Sequence, residues 1–99
     1  MRLTAEQTER IRRAVRQIAG ESATVSLFGS RLDDAAKGGD IDLLVSVPYP
    51  VSNPATLVAR LVARVSVLLG GRDVDVLLSA PNLERQPIHD IAREEGQLL

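Results

Sequence analysis

The chain contains no cysteine, which excludes a disulfide framework, a thiolate metal site and a thiol nucleophile. Its only aromatic residues are Phe28 and Tyr49, so any core must be aliphatic. A single histidine, His89, excludes a multi-histidine zinc centre. No charge of one sign dominates: the formal net charge is -1, and no global basic field recruits nucleic acid or anionic lipid. No apolar run approaches the roughly 20 residues that span a bilayer. The N-terminal stretch MRLTAEQTERIRRAVRQ is polar and has no signal-peptide apolar region, so cytoplasmic residence without a membrane partner is expected.

What is present suffices for one small domain over residues 1–99. A hydrophobic fraction of 44% can fill a core of Leu, Val, Ile and Ala. Residues 4–19 are expected to form the first helix: Thr4 with Gln7 makes a capping box, Gly20 stops it, and Ile11, Ala14, Val15 and Ile18 give one buried stripe. Arg10, Arg12, Arg13 and Arg16 on this helix read as a solvated face, with Glu6–Arg10 and Glu9–Arg13 as i,i+4 pairs and no interleaved aromatics to stack bases. Residues 24–28 alternate as a short strand. The segment from Gly29 to Gly39 is too short for a full crossover helix and holds about two helical turns at most, with Gly38-Gly39 a flexible turn and Asp33 and Asp34 turn and solvent residues. Residues 41–47 are apolar on both faces except at their start, which marks a central strand ended by Pro48 and Pro50.

Asn53-Pro54 opens a helix that runs to about Leu69 and stops at Gly70-Gly71. Leu57, Leu61, Val65 and Leu68 face inward. The far side, with Ala59, Ala63, Ser66 and Val67, is weakly polar, and either another chain or this chain's own last helix is expected to cover it. Residues 73–79 form a third strand, residues 87–95 a last helix, and Gln97-Leu98-Leu99 a short terminal strand. His89, at the start of that last helix, reads as a surface or helix-end residue, and Tyr49, between two prolines, as an exposed loop residue.

The candidate chemistry lies in residues 25–45, VSLFGSRLDDAAKGGDIDLLV, together with the start of the third strand. Side chains alternate along a strand, so Asp40 and Asp42 share a face, as do Asp73 and Asp75. A helix joins the second and third strands, which makes them parallel by a right-handed crossover. The short link makes the first strand antiparallel to the second. Gly29-Ser30 and both Asp pairs then meet at one end of the sheet. Clustered carboxylates repel one another unless a cation offsets them, and magnesium accepts one or two carboxylates plus substrate phosphates. Gly29 permits close backbone approach, and Ser30 offers N–H and hydroxyl donors to phosphate oxygens. A lone Gly-Ser or a lone Asp-x-Asp is more often a turn; the joint spacing is what points to phosphate chemistry.

At these residues the chain resembles the nucleotidyltransferase superfamily that includes DNA polymerase beta, and most of all its minimal nucleotidyltransferase (MNT) family. The resemblance rests on Leu27-Phe28-Gly29-Ser30, Gly39-Asp40-Ile41-Asp42-Leu43-Leu44-Val45 and Val74-Asp75-Val76. It implies an α/β (α+β) fold, αβαβαβα with a small mixed sheet flanked by helices. It also implies ATP or another NTP as donor, Mg2+ (or Mn2+) as cofactor, and transfer of a nucleotidyl group, AMP when ATP is the donor, with release of pyrophosphate. By position, Asp40 and Asp42 match the paired metal ligands, Asp75 the third ligand and activator of the acceptor hydroxyl, and Gly29, Ser30 and Arg31 the triphosphate contacts. Leu32, Asp33 and Asp34 stand where many relatives carry a small residue, a second arginine and a glycine, so the cation near the phosphates is either Lys37 or absent. The family further implies a helical HEPN-type RNase toxin as partner, for which the MNT protein is the antitoxin. The alternative is a non-catalytic antitoxin or nucleotide-binding module that acts by docking. Small-molecule modification would need an acceptor pocket, from a homo-oligomer for instance, and direct action on nucleic acid is disfavoured by the charge and the scarcity of aromatics.

Overall fold

Local capping chemistry sets the first helix. In a computed structural model, which describes residues 3–28, 41–85 and 87–99, Thr4 Oγ1 accepts from the Gln7 N–H at 3.0 Å and Gln7 Oε1 accepts from the Thr4 N–H at 2.8 Å. This reciprocal box satisfies two donors that helix geometry leaves orphaned and opens α1 (Ala5–Ala19). Gly20, at φ 103, closes the helix by donating its N–H to the Arg16 carbonyl. Ile11, Ala14, Val15 and Ala19 are buried along one stripe and Ile18 is half-buried beside them. The expected Glu6–Arg10 pair forms at 2.6 Å. Glu9, however, pairs with Arg12 at 3.4 Å rather than with Arg13, since positions three and four residues on are both within its reach.

The chain then enters β1 (Thr24–Phe28) and, after residues 29–40, β2 (Ile41–Ser46). The helical turns expected between the two strands, the Gly38-Gly39 turn, and Asp33 and Asp34 lie outside the described residues. Next come α2 (Pro54–Leu68), capped by Asn53 Oδ1 on the Thr56 N–H at 3.2 Å, then β3 (Val74–Ser79), α3 (Pro87–Glu95) and β4 (Gln97–Leu98). Gly70 and Gly71 both take positive φ, and the Gly71 N–H returns to the Ser66 carbonyl at 2.8 Å, which turns the chain out of α2 towards β3.

The sheet order is β3-β2-β1-β4, with β2 and β3 parallel and the two pairings of β1 antiparallel. This mixed α+β sheet is the architecture the resemblance implies, and β2 is central as its two apolar faces predict. One face carries Val25, Leu27, Ile41, Leu43, Val45, Val74 and Leu78, which pack with Ile11 and Val15 of α1 and Leu61 and Val65 of α2 into a wholly aliphatic core. Neither aromatic ring is buried.

By alternation the other face presents Ser26, Phe28, Asp42, Leu44, Ser46, Asp75, Leu77 and Ser79. Here α3 packs against β1 and β2, and Arg93 Nη2 reaches Ser79 Oγ at 3.2 Å. The terminal helix is therefore engaged with the sheet, and it does not cover the outer side of α2. Ala59, Ala63 and Val67 on that side are exposed, Val67 to 76%. Among the described residues no helix is long and apolar enough to cross a membrane.

Candidate active site

Register decides which acidic residues meet. In the parallel ladder Asp42 of β2 stands opposite Asp75 of β3, and in the antiparallel ladder Phe28, the last residue of β1, stands opposite Asp42. Neighbouring strands lie about 4.8 Å apart, so Phe28, Asp42 and Asp75 form one row across three strands, with side chains on the face opposite the aliphatic core. The chain leaves β1 for Gly29 from one end of this row. The sequence-derived strand directions, and the convergence of the end of β1 with the starts of β2 and β3, are as expected.

The same register separates two residues that alternation could not. Asp75 lies within β3, directly beside Asp42, whereas Asp73 precedes the strand and its main-chain carbonyl accepts from the Ile41 N–H at 2.9 Å. Asp42 is half-buried and Asp75 exposed, so the row is open to solvent on the Asp75 side. Placing two like charges side by side on one sheet face destabilises the sheet, and among the described residues no Lys or Arg forms an ion pair with Asp75. A hard cation or a proton-bearing substrate group is what such an arrangement can accept. Two carboxylates at this spacing suit an ion that prefers oxygen ligands and shares its shell with phosphate. Among the described residues no third acidic or imidazole group joins them. Asp40, Gly29, Ser30, Arg31 and Lys37 lie outside the described residues.

The structure also moves two residues whose sequence reading was bland. His89 is not a surface residue: it is only 6% exposed, with Nε2 at 3.1 Å from the Leu78 carbonyl. A carbonyl can only accept, so Nε2 carries the proton in this contact. Leu78 pairs with Val45, three positions beyond the Asp42–Asp75 row, which puts His89 about 10 Å along the strands from the carboxylates. It sits beside a hollow of about 370 Å³ at the Ser46 and Ser79 ends of β2 and β3. No local signal in the sequence marks its burial, which follows from α3 lying across the sheet. Tyr49 is 39% exposed, yet its hydroxyl donates to the Ala19 carbonyl at the end of α1, so it is a tether as well as a loop residue.

The mixed sheet, the crossover through α2 and the acidic row coincide with a family match. The family model of the nucleotidyltransferase domain matches residues 8–99. The chain belongs to the nucleotidyltransferase domain family. Among curated proteins none matches the sequence. Membership makes this a transferase domain and nucleotidyl transfer its general class of reaction. The match extends from the second turn of α1 through β4 and so includes every element that frames the Asp42–Asp75 row.

Proposed function

We propose that this nucleotidyltransferase domain moves a nucleotidyl group, AMP when ATP is the donor, onto a hydroxyl of a partner protein. The observation that carries the proposal is the in-register Asp42–Asp75 pair beside the exit of β1. Asp42 and Asp75, with Asp40, would hold Mg2+ or Mn2+, which neutralises triphosphate charge and stabilises the leaving pyrophosphate when bound. Gly29, Ser30, Arg31 and Lys37 would grip the triphosphate.

The more exposed carboxylate, Asp75, is open to an incoming acceptor. In the transfer step the acceptor oxygen attacks the α-phosphorus and its proton passes to the Asp75 carboxylate. The bond from the α-phosphorus to its bridging oxygen breaks, and pyrophosphate leaves with that electron pair. No covalent enzyme intermediate is needed, because positioning and charge neutralisation carry most of phosphoryl chemistry. In the MNT reading the acceptor is a tyrosine of a helical HEPN-type RNase toxin, and modification neutralises the toxin in the cytoplasm.

A second reading, neutralisation by docking alone, is favoured by one observation: the weakly polar side of α2 at Ala59, Ala63 and Val67 is exposed rather than covered by α3. One experiment tests both. The protein is incubated with α-labelled ATP, Mg2+ and the protein encoded beside it, and label transfer and toxin activity are followed for the wild type and for Asp42→Asn and Asp75→Asn. Transfer that both substitutions abolish supports the enzymatic reading. Absence of transfer, with neutralisation intact in all three proteins, overturns it in favour of docking.

A further inference from the structure

The arginines of α1 and α2 are segregated from acidic residues. From Arg10 to Ala19 α1 carries Arg10, Arg12, Arg13 and Arg16, and α2 carries Arg60 and Arg64; neither stretch contains an Asp or a Glu, although the chain as a whole has net charge -1. Arg10 and Arg12 are answered from the first turns of α1 by Glu6 and Glu9. Among the described residues Arg13, Arg60 and Arg64 make no ion pair. Ion pairing within the helix accounts for the first two and not for these three.

Three of the four guanidinium groups of α1 and α2 left unpaired among the described residues, those of Arg13, Arg60 and Arg64, border one groove, and Arg16 lies outside it. Two adjoining hollows of about 550 Å³ and 300 Å³ run between α1 and α2 and share Gln17 and Arg64. Arg60 and Arg64 stand one turn apart on the α2 rim, and Arg13 and Gln17 one turn apart on the α1 rim. The floor is apolar and shallow: Ala14 and Ile18 from α1, Ala63 and Leu68 from α2. The small floor residues Ala14 and Ala63 let a further backbone approach closely. The lining runs from Arg10 to Ile18 on α1 and from Arg60 to Leu68 on α2, which gives a groove about 12 Å long, a little over two helical turns.

We propose that the groove between α1 and α2 is the docking site for an acidic amphipathic helix of a partner protein. The apolar face of that helix packs on Ala14, Ile18 and Ala63, and its carboxylates pair with Arg13, Arg60 and Arg64. Charge complementarity selects an acidic occupant. The apolar floor, and the absence of any aromatic residue along it, favour a protein helix over a nucleic acid strand, which needs stacking platforms. The groove lies on the core side of the sheet, away from Asp42 and Asp75, so an occupant leaves the acidic row open. The inference rests on the partner-protein reading for the class of occupant and is independent of the transfer chemistry.

The test uses the full chain and a defined probe: a synthetic 21-residue helical peptide of three heptads, with Leu at the two apolar positions and Glu beside them. Binding is followed by fluorescence anisotropy, and its site by amide chemical shifts. The expected result is binding that shifts Arg13, Gln17, Ala63 and Arg64. It should weaken about tenfold or more in the Arg60→Glu/Arg64→Glu double variant, whose fold is checked by circular dichroism, and weaken again in 0.5 M NaCl. Asp42→Asn should bind as the wild type does; failure of transfer with docking intact would refute the enzymatic reading alone. Absence of peptide binding, or shifts confined to other surfaces, overturns the docking proposal. So does tighter binding of single-stranded oligonucleotide than of peptide at equal salt. A concentration-dependent dimer in sedimentation that Arg60→Glu/Arg64→Glu abolishes overturns the occupant, since the groove then belongs to a second copy.

Discussion

Asp42 and Asp75 face one another across the parallel ladder of β2 and β3, on the sheet face that α1 and α2 do not cover. Neither is needed for the aliphatic core, and their like charges work against the pairing of the strands that carry them. Removing one charge should therefore relieve the fold while it harms the chemistry. Asp75→Asn is expected to leave thermal stability unchanged or raise it slightly in metal-free buffer, and to reduce label transfer by about 100-fold or more, the scale of a lost acid–base group. Differential scanning calorimetry in EDTA, paired with a transfer assay, checks both halves.

The same relationship predicts a metal-dependent rise in stability. An ion that binds the folded row and not the unfolded chain stabilises by mass action, about 1.4 kcal/mol when it stands about tenfold above its dissociation constant. For a domain of this size that is a shift of about 6–11 °C in Tm. Mg2+ or Mn2+ should give this shift in the wild type and little or none in Asp42→Asn. Thermal melts across a metal titration, with Asp73→Asn as the control outside the row, decide it. An equal shift in Asp42→Asn would exclude Asp42 as a ligand.

Strand directions and helix limits were legible in the sequence because they follow from local rules. The capping box at Thr4 and Gln7, Asn53-Pro54 before α2, and the short link after β1 each predict a feature that is present. What alternation could not distinguish was Asp73 from Asp75, which have the same parity; only the register of β3 against β2 does so. The fate of Glu9 was ambiguous for a similar reason, since Arg12 and Arg13 both lie within one helical turn of it. The pairing with Arg12 leaves Arg13 to the groove against α2. His89 stands at a helix end, as read, but not at the surface its polarity suggests, because its burial depends on α3 lying across the sheet, a tertiary fact with no local signature.

Tyr49 ties the loop after β2 to the end of α1 through its hydroxyl and the Ala19 carbonyl. The adjacent Gly20 is at φ 103, and a Cβ there would meet the Tyr49 ring at 3.8 Å, ordinary contact rather than a clash. The cost of Gly20→Ala should then come from backbone strain alone, about 1–3 kcal/mol at this φ with extended ψ. Tyr49→Phe should cost about 1 kcal/mol by loss of the hydrogen bond. Urea denaturation of both single variants measures these costs, and transfer activity should survive in each, because neither residue touches the acidic row.

Asn82, just after β3, holds the loop between β2 and α2 by a two-point contact with Val51. Its Oδ1 accepts from the Val51 N–H and its Nδ2 donates to the Val51 carbonyl, both at 2.8 Å. Asn82→Ala should cost about 1–3 kcal/mol because it strands both main-chain groups. Asn82→Asp should cost more at neutral pH, since it keeps the acceptor but sets a carboxylate oxygen against the Val51 carbonyl. A larger loss of Tm for the aspartate than for the alanine checks the assignment.

His89 supplies the sharpest separation of structure from chemistry. A sole histidine in a phosphoryl-transfer domain invites a role as general base, but His89 is buried under α3 and its Nε2 proton is given to the Leu78 carbonyl. The strand register sets it about 10 Å from the Asp42–Asp75 row, beyond direct reach of a proton on an acceptor held there. His89→Ala removes a buried ring and leaves the Leu78 carbonyl without that donor, so a loss of about 1–3 kcal/mol in folding stability is expected. His89→Gln, which retains an N–H donor, should recover part of that loss. Under conditions where each variant is folded, kcat for nucleotidyl transfer should match the wild type and show no new pH dependence. A drop in kcat comparable to that of Asp75→Asn, with stability intact, would make His89 part of the chemistry instead.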